Sequence, residues 1–249
     1  MNGWRISWAL GIVVLTLSVK SFGQGGPPLI GDDPGTPGNK HWEINVSYQY
    51  FQSPGISSMD VPLLDLNYGL GDHIELSYEG GWLFGQNNGT WQNGYDDSQL
   101  GVKWRFLDQD KTGVDMSVYP QWTFNTTKSL TTSGFVESGN GLYVPFEIAK
   151  TIGKLELDGE AGFQYWQDDR DQWAGGPIIG YLLNSRIELL GEARFTFDQN
   201  FRSYDLILDG GGRLTINDHM QILFAAGRSV RSGDSSVRLY LFSGLGFTF

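Results

Sequence analysis

The chain has 249 residues, of which 35 are Gly, 14% are aromatic and none is Cys. The lack of Cys excludes disulfides, thiolate metal sites and a cysteine nucleophile, and the apolar, aromatic-rich composition excludes a disordered chain. The formal net charge of −11 at pH 7 argues against nucleic-acid binding, which depends on basic residues that neutralise phosphates. Many glycines and aromatics without cysteine indicate a β-rich protein with tight turns.

The first element is a predicted signal peptide over residues 1–23. A basic start that includes Arg5 is followed by an apolar run over residues 6–19, and the small residues Ser21 and Gly23 mark a cleavage site before Gln24. A permanent anchor is the alternative, but the run is short for a membrane span of about 20 residues. Cleavage removes Arg5 and Lys20 from the 17 basic residues, which leaves 15 against 28 acidic ones and a net charge of −13.

Residues 24–39 are rich in Pro and Gly, which predicts a periplasmic segment without regular structure. From residue 40 to residue 249 apolar and polar residues alternate, as in Trp42, Ile44, Val46 and Tyr48. This period of two predicts strands with one apolar and one polar face. We count twelve of them, including a weakly patterned strand over residues 173–182.

The connections between these strands alternate between short and long. Short turns are expected near residues 70–73, 108–113, 151–153, 183–186 and 217–219, and longer loops near 52–59, 84–97, 125–140, 167–172, 198–203 and 231–235. This alternation is typical of an outer-membrane, up-and-down antiparallel β-barrel with short periplasmic turns and longer extracellular loops. A soluble β-sandwich is the alternative. The barrel is favoured because aromatic residues of the apolar faces gather at both strand ends, as two membrane interfaces require.

The last strand carries an expected barrel-assembly signal. Gly244, Phe247 and Phe249 resemble the C-terminal pattern of bacterial outer-membrane barrels, although Phe242 stands where a polar residue is usual. An ordinary amphipathic strand is the alternative interpretation.

The polar faces predict a charged lumen with more acids than bases. If loop 84–97 is symmetric, Glu75 lies opposite Arg105 on the neighbouring strand. If loop 198–203 is symmetric, Glu188 lies opposite Arg213. Each pair either braces the wall or forms a constriction that selects solutes, and the excess of acids predicts cation preference. The charged residues expected in the lumen are Glu75, Lys103, Arg105, Asp115, Glu147, Glu156, Asp158, Glu160, Glu188, Glu192, Arg194, Asp209, Arg213 and Arg238.

Several segments resemble one family of barrels. The chain resembles a family of outer-membrane proteins linked to the meta-pathway of phenol degradation. The similar stretches are Gly26 to Pro34, His41-Trp42-Glu43, residues 66–69, residues 99–106 and Tyr119-Pro120. The resemblance implies a transporter-like barrel for small solutes such as aromatic or hydrophobic compounds in a Gram-negative bacterium. After Tyr119-Pro120 the chain departs from the family's Pro-Thr-Gly turn and reads Phe124-Asn125-Thr126.

Catalysis finds little support in the sequence. His41, His73 and His219 all fall at short-turn strand ends and lack the spacing of metal ligands. Glu156, Asp158 and Glu160 share a strand face, where paired carboxylates can do glycosidase work, but a wet lumen is the favoured interpretation. We therefore predict no catalytic residues, no metal and no cofactor.

The predicted function is an outer-membrane barrel that passes or binds small molecules. The alternatives are a structural or adhesive barrel and a barrel hydrolase. The expected partners are outer-membrane lipid, the barrel-assembly machinery and an unidentified small solute, with no nucleic acid.

Overall fold

The computed structural model describes residues 26–231 and 236–249. The predicted signal peptide and its cleavage site lie outside these residues. The strands are β1 Trp42–Ser53, β2 Ile56–Gly69, β3 Ile74–Asn87, β4 Thr90–Tyr95, β5 Ser98–Leu107, β6 Asp115–Val118, β7 Gln121–Phe124, β8 Gly141–Ile152, β9 Leu155–Trp166, β10 Gln172–Asn184, β11 Ile187–Asp198, β12 Tyr204–Asn217, β13 Met220–Arg231 and β14 Leu239–Thr248. Two short helices, α1 Gln109–Thr112 and α2 Lys128–Thr132, lie in connections. No helix among the described residues is long and apolar enough to cross a membrane.

The strands form a closed antiparallel barrel of twelve strands, as predicted. β4 continues into β5, and β6 continues into β7, so that each pair makes one strand of the wall. The barrel closes where β14 pairs with β1, from Glu43 opposite Thr248 to Gln52 opposite Leu239. Closure leaves no sheet edge, which a lipid environment would not tolerate.

Alternation places apolar side chains on the outer surface. Large apolar residues such as Trp104, Trp122 and Leu142 are exposed there, whereas Lys103 and Glu147 on the other face of the same strands are fully buried. This is the reverse of a soluble protein and matches a wall that contacts lipid.

Two expected long loops are hairpins instead. β1 and β2 extend to a tight turn at Pro54-Gly55, so the prediction of a long loop over residues 52–59 was wrong. β3 and β4 form a hairpin around Asn88-Gly89, within the segment predicted as loop 84–97. The loop over residues 125–140 is confirmed and folds onto that hairpin, where the Asn87 side-chain amide donates to the Ser133 carbonyl at 2.9 Å.

The glycine run Gly210-Gly211-Gly212 lies within β12. A Cβ on Gly211 would stand 2.0 Å from the Phe224 carbonyl oxygen. The run is therefore a point where neighbouring backbones pack closely.

Candidate functional site

The N-terminal segment, defined here as residues 26–39, turns into the barrel from the end where β1 begins and β14 ends. The Lys40 amide donates to the Gly69 carbonyl at 2.8 Å, and the Thr36 hydroxyl donates to the Asp72 carbonyl at 3.1 Å. A Cβ on Gly69 would lie 1.7 Å from the Gly38 carbonyl oxygen, so only glycine fits at this crossing. The segment was expected in the periplasm, but its described part lies inside the barrel, because wall residues satisfy its backbone groups there.

Backbone amides of this segment are bound by carboxylates of the wall. The amides of Ile30 and Gly31 donate to one oxygen of Glu192 at 2.9 and 3.1 Å, and the Asp32 amide donates to Glu160 at 2.9 Å. These bonds replace the water that an irregular backbone otherwise needs. The segment is thus held as a fixed part of the lumen.

Basic side chains on both sides of the lumen also bind the N-terminal segment. The Lys103 ammonium is fully buried and lies 3.1 Å from an Asp32 carboxylate oxygen, 2.7 Å from the Asp33 carbonyl and 4.0 Å from Glu75. It also sits 4.6 Å from the centroid of the Tyr119 ring. Lys103 therefore links β3, β5 and the segment.

Arg213 and Arg194 bind the segment from the other wall. Arg213 pairs with Glu188 at 3.1 Å, in the predicted register, and donates to the Gly26 carbonyl at 3.2 Å. Arg194 forms an ion pair with Glu160 and lies 3.9 Å from Glu192. Because those two carboxylates also bind the backbone of the segment, Arg194 orients the groups that hold it.

The other predicted pair was wrong. Glu75 lies opposite Lys103, not Arg105. The turn of the β3–β4 hairpin is centred on Asn88-Gly89, earlier than the midpoint of a symmetric loop, which shifts the register by two residues. Arg105 lies at the mouth formed by the β2–β3 turn, where it donates to the Asp72 carbonyl at 2.8 Å.

The remaining predicted charges divide between the lumen and its rims. Glu147 is fully buried and accepts a hydrogen bond from Ser117. Asp209 is buried opposite Glu192. Glu156 and Asp158 line a water-sized cavity beside Arg213 and the segment. At the rims, Asp115 accepts from the Gln109 amide at 3.0 Å, and Arg238 is exposed beside the far end of β1.

A larger cavity of about 360 Å³ lies between the segment and the wall formed by β1, β2, β3, β5, β7, β8, β9, β11 and β14. Its acids are Asp32, Asp65, Glu75, Glu79 and Glu160, and Arg194 is the one basic side chain among the described residues that line it. The lining also includes amide and aromatic side chains: Gln49, Gln99, Gln121, Gln164, Asn67, Phe51, Tyr119, Tyr143 and Phe242.

Acidic side chains outnumber basic ones in the lining of this cavity. Asp65 accepts from the side-chain amides of Asn45 and Asn67, each at 2.9 Å. Two tyrosine rings of the lining already face cations of the protein: Tyr119 faces Lys103, and Tyr143 faces Arg194 at 5.8 Å. The cavity therefore offers polar and negatively charged surface more than free aromatic rings.

The sequence did not reveal the contribution of Asp32, Asp33 or the backbone of residues 26–36. Two adjacent acids within a Pro/Gly-rich stretch were the only local signal.

The histidines do not form a catalytic arrangement. The His219 ring contacts the Thr248 backbone carbonyl at 2.9 Å, and the hydrogen bonds of the described residues join no histidine to a serine or threonine hydroxyl. Within residues 26–231 and 236–249, no group of three or more acidic or histidine residues could hold a metal ion.

The comparisons with known proteins support the fold. No protein-family model matches the chain, and no curated protein matches it. The COG4313 outer membrane channel from Pseudomonas putida F1 is similar in structure, with a TM-score of 0.69 at 14% identity over 90% of this chain and 100% of that one. The KdgM porin has a TM-score of 0.57 at 11% identity, covering 82% of this chain and 99% of its own.

The NanC porin gives a TM-score of 0.55 at 12% identity, over 83% of this chain and 98% of its own. The chain therefore has the fold of outer-membrane β-barrel channels. Its membership of the phenol-degradation family stays a prediction.

Proposed function

We propose that this chain is an outer-membrane channel that admits small solutes through the space between its N-terminal segment and the barrel wall. The observation that carries the proposal is the polar cavity of about 360 Å³ beside the segment. This volume lies in the range of sites for small ligands. A lipid-facing outer surface, a closed wall and the shared fold of outer-membrane channels support the location.

The segment determines the width of this path. It fills the lumen between Lys103 on one wall and Arg213 on the other, so a solute must pass beside it. Twelve strands already enclose a narrower lumen than the sixteen of large porins. We therefore propose a low-conductance channel that favours small, polar, positively charged solutes over aromatic acids.

Conductance in planar bilayers tests the proposal. The mature chain should form discrete channels, and a variant lacking residues 26–36 should conduct several times more current, because the same wall then encloses a wider path. Glu137→Gln, in an outer loop, serves as the control variant and should keep the conductance of the unmodified chain.

Both variants must first show the heat-modifiable migration of folded barrels. Absence of current from the folded chain and from the folded deletion variant would contradict a channel function and favour a structural or adhesive barrel.

A further inference from the structure

The outer surface carries a cluster of aromatic side chains at the end of β9–β12 that lies away from the start of β1. Phe163, Trp173, Phe197 and Tyr204 follow one another across four neighbouring strands. They face outward, because Arg194 and Glu192 of β11 face the lumen and side chains alternate along a strand. Phe201 covers the row and is 60% exposed.

The rings of this cluster contact one another. Ring centroids are 4.9 Å apart between Phe163 and Trp173, 5.8 Å between Trp173 and Phe201 and 5.2 Å between Phe197 and Tyr204. The result is a continuous aromatic surface at the level of an outer-membrane interface, where such rings gather.

Two arginines of β13 extend this surface. The Arg231 guanidinium lies 4.1 Å from the centroid of the Tyr204 ring. Arg228 stands opposite Leu208 of β12, a residue 45% exposed on the same outer face. Neither arginine forms an ion pair with a residue that the structure describes.

An outward arginine at a lipid boundary needs an anion. Charge in contact with hydrocarbon is unfavourable, and arginine side chains there reach toward phosphates of lipid headgroups. Arg202, exposed in the turn between β11 and β12, adds a third cation to the same side. Other connections of this end carry acids: Asp97 lies between β4 and β5, and Glu137 lies between β7 and β8.

We infer that Arg228, Arg231 and the adjoining aromatic cluster form a binding site for a phosphorylated glycolipid of the outer leaflet. The phosphates contact the two guanidinium groups, the sugar rings lie on the exposed faces of Phe201 and Tyr204, and the acyl chains follow Leu208 and Val230. This inference rests on the outer-membrane location proposed above, but not on transport.

Native mass spectrometry of the folded barrel tests the site, with hexa-acylated diphosphoryl lipid A as the probe and a neutral, non-phosphorylated detergent as background. The double variant Arg228→Gln/Arg231→Gln should bind lipid A about 25-fold more weakly, because each arginine near an anionic surface contributes roughly a factor of five. Arg186→Gln, at an exposed turn of the opposite end, is the matched control and should retain full binding.

A second comparison uses the unmodified chain and so does not depend on the folding of a variant. Diphosphoryl lipid A should displace a dephosphorylated form and should bind more tightly than phosphatidylglycerol. Equal binding of the phosphorylated and dephosphorylated forms, or equal binding by the double variant and Arg186→Gln, would overturn the site. Preference for phosphatidylglycerol would overturn the glycolipid assignment. Single-channel conductance of the double variant should stay unchanged, which separates this site from the channel proposal.

Discussion

Lys103 is the side chain on which the interior of the barrel depends most. Its ammonium is fully buried between Asp32 and Glu75. Removing one partner of a buried ion pair leaves the other charge uncompensated, which costs about 3–5 kcal/mol.

We expect Lys103→Met to lower the free energy of unfolding by about 3 kcal/mol. Urea titration of the barrel in lipid, followed by tryptophan fluorescence, measures the change. Lys111→Met is the control, because Lys111 is 69% exposed beside Asp108 in a turn and exposed pairs contribute about 0–1 kcal/mol. Equal stability of the two variants would show that Lys103 is not a structural link.

Glu137 gives the outer loops a dependence on pH. A hydrogen bond with Asp169, together with burial, raises the pKa of Glu137 to about 7. A carboxyl group whose pKa is raised on folding stabilises the folded loops below its unfolded pKa, and this contribution is lost as pH rises through about 7. Loop 125–140 should therefore loosen as pH rises from about 4.5, the ordinary pKa of the carboxyl group, to about 7.

Amide hydrogen exchange in residues 125–140, corrected for the intrinsic effect of pH, measures this loosening. Glu137→Gln should remove the pH dependence, because the amide donates to Asp169 at every pH. Asp110→Asn is the control, because Asp110 lies in a connection at the other end of the barrel. This variant should keep the pH dependence. Persistence of the transition in Glu137→Gln would assign it to another group.

The pairings of individual residues were only partly predictable from the sequence. Glu188 and Arg213 were paired correctly because the connection between β11 and β12 is nearly symmetric. Glu75 was assigned the wrong partner because register depends on where a turn lies, and the Asn88-Gly89 turn is off-centre. One such shift changes every cross-strand pair of a hairpin.

Among the elements, the N-terminal segment depends on a single backbone crossing. The Gly38 carbonyl oxygen passes so close to Gly69 that a Cβ has no room, and backbone cannot move aside as a side-chain tip can. We expect Gly69→Ala to lower the free energy of unfolding by about 1–3 kcal/mol, the usual cost of overpacking.

Gly159→Ala is the matched control, because the nearest atom to a Cβ there is 3.7 Å away. Its effect should stay within about 0.5 kcal/mol in either direction. Urea titrations of the two variants provide the comparison, and a neutral Gly69→Ala would contradict the crossing.

The strands were more predictable than their connections. Lipid on one side and water or polar groups on the other impose a period of two on each strand, and β8 shows it without interruption from Gly141 to Lys150. The β3–β4 hairpin projects beyond the part of the wall that has lipid on one side, so its residues need not alternate. Residues 86–93 are mostly polar and for that reason resembled a loop. Its Asn-Gly turn is a recognised hairpin signal and could have identified it.

For the molecule as a whole, the sequence predicted the barrel but not its filled interior. A closed wall follows from repeated local patterns, whereas the segment is held by contacts that span most of the chain, such as the amide of Ile30 with Glu192. A Pro/Gly-rich stretch carries no periodicity from which such contacts can be inferred. Through such contacts the basic side chains of the wall bind the segment. Carboxylates of the wall still face the cavity.

Ion selectivity tests the central claim most directly. Reversal potentials of the mature chain in a KCl gradient should show cation preference at 0.01 M salt, where the screening length is about 30 Å, and weaker preference at 0.1 M, where it is about 10 Å. Asp65→Asn/Glu79→Gln should reduce this preference, because both carboxylates line the cavity. Anion preference at low salt, or a reversal potential of zero throughout, would contradict a solute path through the acidic cavity beside the N-terminal segment.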